Sequence, residues 1–277
     1  MASYNSISVE KLARLTGTSK GPVIIDVRDD EDFAALPSLV PASMRRPFAS
    51  ASQWAADYRG LWVVVVCQKG KKLSEGVAAW LRNAGAQAET LEGGLEAWTA
   101  AGLPLVPAAA IPGGNAGGAS VWVTRSRPKI DRIACPWLIR RFVDPAASFL
   151  FVAPSEVEAV AERFGATPFD VENVFWSHRG EGCTFDTMIA EFGLSLPALQ
   201  HLALIVRAAD TDRLDLVPEA SGLLAASLGL SRVFADDLEQ LEAGMTLYDA
   251  FYRWARDATQ EKHDWVQHAA KKAKDHE

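Results

Sequence analysis

A chain of 277 residues, 49% hydrophobic and 23% charged, has the length for two domains and the apolar content for a sizeable core. Its net charge of -7 argues against a nucleic-acid partner held by bulk electrostatics, so nucleic acid is not an expected partner. No run nears the roughly 18 to 20 apolar residues of a membrane span, and no basic-then-apolar leader follows Met1, so a cytoplasmic protein with no membrane partner is expected.

Segment 8–15 reads as a short helix with Ser8 as its N-cap, and 23–27 as an apolar strand leading into an acidic turn at 29–32. Residues 36–47, broken by Pro37, Pro41 and Pro47, read as loop, and 51–58 as helix. Val63, Val64, Val65 and Val66 form a β-branched run of the kind buried on both faces of a sheet. The run ends on Cys67, and the next five residues carry Lys69, Lys71 and Lys72 with Gly70 and no acid. Segment 73–83 then has helical spacing, with Leu73, Val77, Trp80 and Leu81 apolar and Gly85 placed to cap its end. Nearby positive charge and a helix N-terminus both favour a thiolate over a thiol, which makes Cys67 a candidate nucleophile. The competing reading is a buried, inert cysteine at a strand end. Three lysines within five residues favour the reactive one. A strand at 88–91, a turn at Gly93 and Gly94, and a helix at 95–101 with Trp98 as core complete an alternation of strands and helices, which implies parallel pairing. Sites in such sheets form at the carboxyl ends of strands, where Cys67 sits.

The ordered set Ile25-Asp26-Val27-Arg28 with Asp32-Phe33, the Cys67 loop, 91–98 and Ala101-Gly102-Leu103-Pro104 resembles the rhodanese family. The resemblance implies a rhodanese-like parallel sheet flanked by helices over residues 1–107. It also implies a sulfurtransferase in which Cys67 carries a persulfide cradled by Gln68, Lys69, Gly70, Lys71 and Lys72, with no cofactor required. A small anionic sulfur donor and a thiol or cyanide acceptor are the implied partners. The six-residue loop 67–72 is similar to that of sulfur-transferring members rather than the longer loop of related phosphatases. Two departures stand out: Lys72 replaces a customary arginine, and 39–43 replaces a customary His-Ile-Pro-Gly-Ala segment. Asp26 and Arg28 are expected to brace the Cys67 loop from the neighbouring strand.

Residues 108–120 are Pro-, Ala- and Gly-rich and read as a linker. From 121 to 270 the pattern is mainly helical, a mainly α (α+β) domain, followed by a charged tail at 271–277. Segment 131–142 is compatible with a helix if Pro136 falls in its first turn; otherwise the proline breaks it. Between 125 and 141 there are six basic residues and one acid, read either as a solvated basic face or as an oxyanion site built on Arg125, Arg132 and Arg140. Segments 149–152 and 156–164 read as strand and helix. The glycine-containing loop 175–186 gathers His178, Glu181, Cys183 and Asp186, and helix 196–208 delivers Asp210 and Asp212 towards it. His178, Cys183 and Asp210 are a candidate transition-metal set, against the alternative of a hydrogen-bonded loop or anion site. His201 reads as a half-buried helix residue, Leu223, Leu224, Leu228 and Leu230 as a further helix pair, and 236–252 as a helix running on towards Trp254 and Trp265.

Segment 131–142, with His178, Cys183-Thr184-Phe185 and Ala209-Asp210, is similar to the C-terminal domain of bacterial chromate-resistance proteins. That resemblance implies a link to chromate or another oxyanion as partner. Three functions stay open at this point: a sulfurtransferase working in oxyanion detoxification, an oxyanion-sensing regulator or binding protein whose first domain only docks a partner, and a metal-dependent redox protein centred on His178 and Cys183.

Overall fold

The computed structural model describes residues 5–113 and 118–261. The first half runs β1 (Ser6–Ile7), α1 (Val9–Leu15), β2 (Val23–Asp26), α2 (Asp30–Ala35), β3 (Ser38–Leu39), β4 (Ser43–Arg45), α3 (Ala51–Trp54), β5 (Trp62–Val66), α4 (Lys72–Asn83), β6 (Gln87–Leu91), α5 (Gly94–Ala100) and β7 (Val106–Pro107). Five of these strands form one parallel sheet in the order β1-β6-β5-β2-β4. The valine run is its central strand, and period-two alternation divides the side chains between two helical layers. Val63 and Val65 pack with Trp54, Tyr58, Val77 and Leu81 on one face. Val64 and Val66 pack with Leu12, Leu91, Leu95 and Trp98 on the other.

Ser8 caps α1 by accepting from the Lys11 amide. The acidic stretch after β2 is helix α2 rather than a turn, because Asp29 accepts from the Asp32 amide and caps it, and three acids fill the first turn where the dipole favours them. The proline-broken stretch is loop only in part. β4 pairs with β2 as the sheet's edge, and β3 pairs antiparallel with β7. The prolines flank these short strands, where no ladder donor is needed.

The second half runs β8 (Val121–Arg125), α6 (Asp131–Leu138), β9 (Ser148–Val152), α7 (Val157–Phe164), β10 (Thr167–Pro168), α8 (Thr184–Glu191), α9 (Pro197–Asp210), α10 (Glu219–Val233) and α11 (Asp237–Asp257). A three-stranded parallel sheet, β10-β8-β9, packs with the helices around Trp122, Trp137, Phe142, Phe169, Phe185 and Tyr248. The indole N–H of Trp137 needs a partner once buried and donates to Asp249 Oδ1 at 2.8 Å, a carboxylate that also takes a forked pair from Arg141.

Pro136 neither opens α6 nor breaks it. It sits sixth in the helix, and five residues of π-helix, Ile139–Val143, follow directly. A proline lacks the N–H that the Arg132 carbonyl would otherwise accept, and a widened turn absorbs such a mismatch. Leu223 to Leu230 lie on the single helix α10, with Leu223 buried and Leu228 45% exposed, because one long helix needs only one apolar stripe. Part of the expected linker is structured, Ala108–Ala110 forming a 3-10 turn, and Val106 just before it joins the core of the second half. Residues 114–117, Trp265 and the tail 271–277 lie outside the described residues. No helix among the described residues is long and apolar enough to cross a membrane.

Candidate functional site

Two groupings of candidate side chains emerge, one in each half.

Cys67 follows β5 at the carboxyl edge of the first sheet and is 4% exposed. Its thiol donates to Ser74 Oγ at 3.2 Å, and that hydroxyl donates to the Lys71 carbonyl at 3.0 Å, so the sulfur rests against the first turn of α4. Ser74 was not singled out from the sequence; a hydroxyl three positions into the helix after a cysteine loop is the signal that points to it. The Cys67 and Gln68 carbonyls accept from the Leu95 and Glu96 amides, which anchors the loop on the N-terminus of α5. Gly70 and Gly94, both at positive φ, meet where these elements touch. A Cβ on Gly94 would lie 2.2 Å from the Cys67 oxygen, and one on Gly70 would lie 2.3 Å from the Leu91 oxygen. With the loop's carbonyls tied down, the amides of Gln68, Lys69, Gly70, Lys71 and Lys72 donate to no group among the described residues. Lys69, Lys71 and Lys72 are exposed and form no ion pair there. The loop is thus a set of unpaired donors and cations.

A surface cavity of about 780 Å³ is lined by Lys69, Gly70, Lys71 and Gly93, with Arg82 and Glu92. Cys67 is not among its walls. A second, of about 420 Å³, lies at the carboxyl ends of β2 and β4 and is lined by Arg28, Arg45, Arg46 and Phe48. Arg46 went unnoticed in the sequence. Its Nε donates to Tyr58 Oη at 3.2 Å and its guanidinium forms no ion pair among the described residues.

Asp26 and Arg28 do not brace the Cys67 loop. They form a buried ion pair at 2.7 Å, and Arg28 donates to the Leu36 and Ser38 carbonyls instead. A buried guanidinium must satisfy its donors, and the nearest open acceptors belong to the chain reversal between β2 and β4.

In the second half, four elements converge on His178. Its Nε2 lies 3.5 Å from Asp131 Oδ2 at the start of α6, 3.4 Å from Asp170 Oδ1, and 3.2 Å from Asp210 Oδ2 at the end of α9. The Thr184 amide, opening α8, donates to Asp131 Oδ2 at 2.6 Å, and its hydroxyl donates to Asp170 Oδ1 at 2.9 Å. Asp131 is fully buried, and its other oxygen meets no N–H or O–H donor among the described residues. Hydrogen bonds to Asp131, Asp170 and Asp210 push the His178 imidazole up to about 12, so it is charged at neutral pH. Burial, reinforced by the neighbouring carboxylates, pushes the Asp131 carboxyl well above its ordinary value.

Cys183 lies outside the tight grouping of Asp131, Asp170 and His178 but borders it, its thiol hydrogen-bonded to Asp131. It is the buried N-cap of α8, its amide donating to Asp186 Oδ2 at 2.9 Å, and burial beside Asp131 pushes its thiol upward. Asp131 and Asp170 are the acids grouped tightly with His178, one donor atom of each lying within 4.8 Å of the others. Asp170 stands at φ 51 in a loop that no periodicity marks, so only the fold brings it here. Glu181 pairs with Arg213 and Asp186 with Arg207, while Asp212 is exposed. His201 is half-buried against Trp254.

The basic segment is neither a solvated face nor a three-arginine oxyanion site. Arg125 and Arg132 both reach Asp170 Oδ2, at 3.4 and 3.3 Å. Arg140 shares no partner with them: it pairs with Glu242 at 2.6 Å and lies over the Phe149 ring. Arg127 caps the end of α10 through the Ser231, Phe234 and Ala235 carbonyls. Each guanidinium found an acidic or carbonyl acceptor brought close by folding.

Comparison with known proteins places these sites in families. Residues 8–101 match the rhodanese-like domain, and residues 122–255 match the ChrB C-terminal domain. Over 133 residues the chain is 35% identical to protein ChrB of Cupriavidus metallidurans, a match covering 47% of this chain and 39% of that protein. The chain therefore spans well under half of that relative. Among solved structures, a rhodanese-like domain protein of Staphylococcus aureus is 28% identical, with a TM-score of 0.31, over 34% of this chain and 90% of that one. A rhodanese-related protein of Thermoplasma volcanium is 24% identical, with a TM-score of 0.32, over 37% of this chain and 98% of that one. Residues 8–101 therefore carry a rhodanese-like domain, and residues 122–255 a ChrB C-terminal domain.

Proposed function

We propose that this protein is a sulfurtransferase that carries sulfur as a persulfide on Cys67, in the service of a response to chromate or a related oxyanion. The observation that carries the reading is the Cys67 loop, whose backbone amides and three lysines have no partner among the described residues while its carbonyls are anchored elsewhere. Such a loop suits an anion formed on the sulfur. The Cys67 thiolate, its proton released to water, attacks the outer sulfur of a donor such as thiosulfate; the donor S–S bond breaks and sulfite leaves with the electron pair. Cyanide or a thiolate then attacks the terminal sulfur of the persulfide, and the thiolate is restored as the leaving group. Ser74, within reach of Sγ, orients the thiol. Arg46 and the lysines draw the anionic donor to this edge of the sheet.

Similarity of the second half to protein ChrB supports the oxyanion context. Direct oxyanion capture by Arg125, Arg132 and Arg140 is not part of the proposal, since each is already paired with a carboxylate. The test is thiosulfate:cyanide transfer by the full chain and by Cys67→Ala, with persulfide read as a mass gain of one sulfur atom. Transfer and mass gain by the wild type only are expected. Equal transfer rates in the two proteins would overturn the proposal.

A further inference from the structure

Three carboxylates around one imidazole make a place for positive charge. Asp131 arrives from the start of α6, Asp170 from the loop after β10, and His178 from the loop before α8. One donor atom from each lies within 4.8 Å of the other two. Donor atoms about 2.1 Å from a common ion stand about 3.0 to 3.4 Å apart in octahedral or tetrahedral arrangements. The separations from His178 Nε2 to Asp131 and Asp170 are 3.5 and 3.4 Å, close to that spacing without movement of any element.

The surroundings are those of a supported site. Arg125 and Arg132 occupy Asp170 Oδ2, and Thr184 fixes Asp170 Oδ1 and Asp131 Oδ2. Such outer contacts orient ligands and offset their charge. A second, independent feature points to a missing ligand: Asp131 is wholly buried, and its Oδ1 meets no N–H or O–H donor among the described residues, with only the weakly donating Cys183 thiol beside the carboxyl. Leaving a buried carboxylate oxygen unmatched is costly unless something else satisfies the group. Entry is open, since the His178 side chain is 42% exposed.

We propose that Asp131, Asp170 and His178 bind one first-row divalent cation, with Asp210 facing the same imidazole from the end of α9. Two carboxylates and one imidazole select a borderline ion such as Mn²⁺, Fe²⁺ or Zn²⁺ over Cu⁺, which prefers sulfur ligands, and over Ca²⁺, which prefers oxygen alone. The ion takes the place of the proton on Nε2. The site is independent of Cys67.

The test uses the full chain, stripped with a chelator and titrated with Co²⁺, Zn²⁺ and Mn²⁺. One ion per chain is expected, with a weak Co²⁺ visible spectrum of oxygen and nitrogen ligation. His178→Gln and Asp170→Asn should abolish stoichiometric binding. Thr184→Val, which removes only a supporting hydroxyl, should weaken it by about tenfold. The wild-type titration is decisive even if a variant fails to fold: no stoichiometric ion in that protein overturns the proposal. Equal binding by His178→Gln overturns it, as does a sulfur-to-Co²⁺ charge-transfer band, which would assign the ion to a cysteine.

Discussion

The Cys67 loop and the His178 centre handle charge in opposite ways. Around Cys67 the lysines are exposed and, like the loop amides, have no partner among the described residues, while Glu92 and Glu96 are engaged by Ser6 and Gln68. Around His178 every charge has a counter-charge: three aspartates face one imidazole, and two arginines face the back of one aspartate. The difference lies in depth. Exposed lysines keep their hydration and need no protein partner, whereas a fully buried Asp131 must be compensated within the fold. An open cationic loop is ready to receive an anion. A compensated acidic centre accepts only something that replaces the charge already present.

That contrast can be broken at several points. The largest effect is expected from Cys67→Ala, which should reduce sulfur transfer to the uncatalysed background while leaving metal binding by the second half intact; a joint loss would mean that the two centres are one unit. Next comes Gly94→Ala. The added carbon meets the Cys67 carbonyl and the Gly70 amide, so overpacking of about 1 to 3 kcal/mol and loss of most transfer activity are expected, read by melting and by turnover together. Arg46→Gln and the triple change of Lys69, Lys71 and Lys72 to alanine should raise KM for thiosulfate several-fold with kcat nearly unchanged. Both effects should shrink as salt is added; a fall in kcat alone would remove these residues from donor attraction.

The smallest effect concerns pH. Burial raises the Cys135 thiol well above its ordinary value of 9.0 and the Tyr248 hydroxyl well above 10.0. A raised value in the folded state means that the unfolded chain loses these protons first. Stability from both groups is therefore complete below about pH 9 and declines as pH rises beyond the unfolded values. Near-UV circular dichroism, dominated by Trp122, Trp137 and Trp176 in that half, should show its melting temperature falling between pH 9 and 10.5. Cys135→Ala should soften the slope; an unchanged slope would place the sensitivity elsewhere.

Much of the first half can be read in one dimension. Four valines in a row name a strand buried on both faces, Ser8 names a helix start, and a cysteine followed by lysines and glycine names the cationic loop that leaves that strand. These signals are local, resting on period-two burial, capping and short-range charge. Helix α2 escaped because its cap, Asp29, sits among acids that also suit a turn. The role of Arg28 escaped because its acceptors, the Leu36 and Ser38 carbonyls, become neighbours only when the chain reverses between two paired strands.

The second half divides along the same line. Residue order alone identified the mainly helical character, and His178 and Asp210 as members of one centre. Only tertiary structure could add Asp131 and Asp170, make Cys183 the buried N-cap of α8, and pair off the arginines of 125–141. Those outcomes depend on which acid meets which base after residues 53 to 112 positions apart are brought together, and the compensation of buried charge is decided by that meeting rather than by any spacing along the chain.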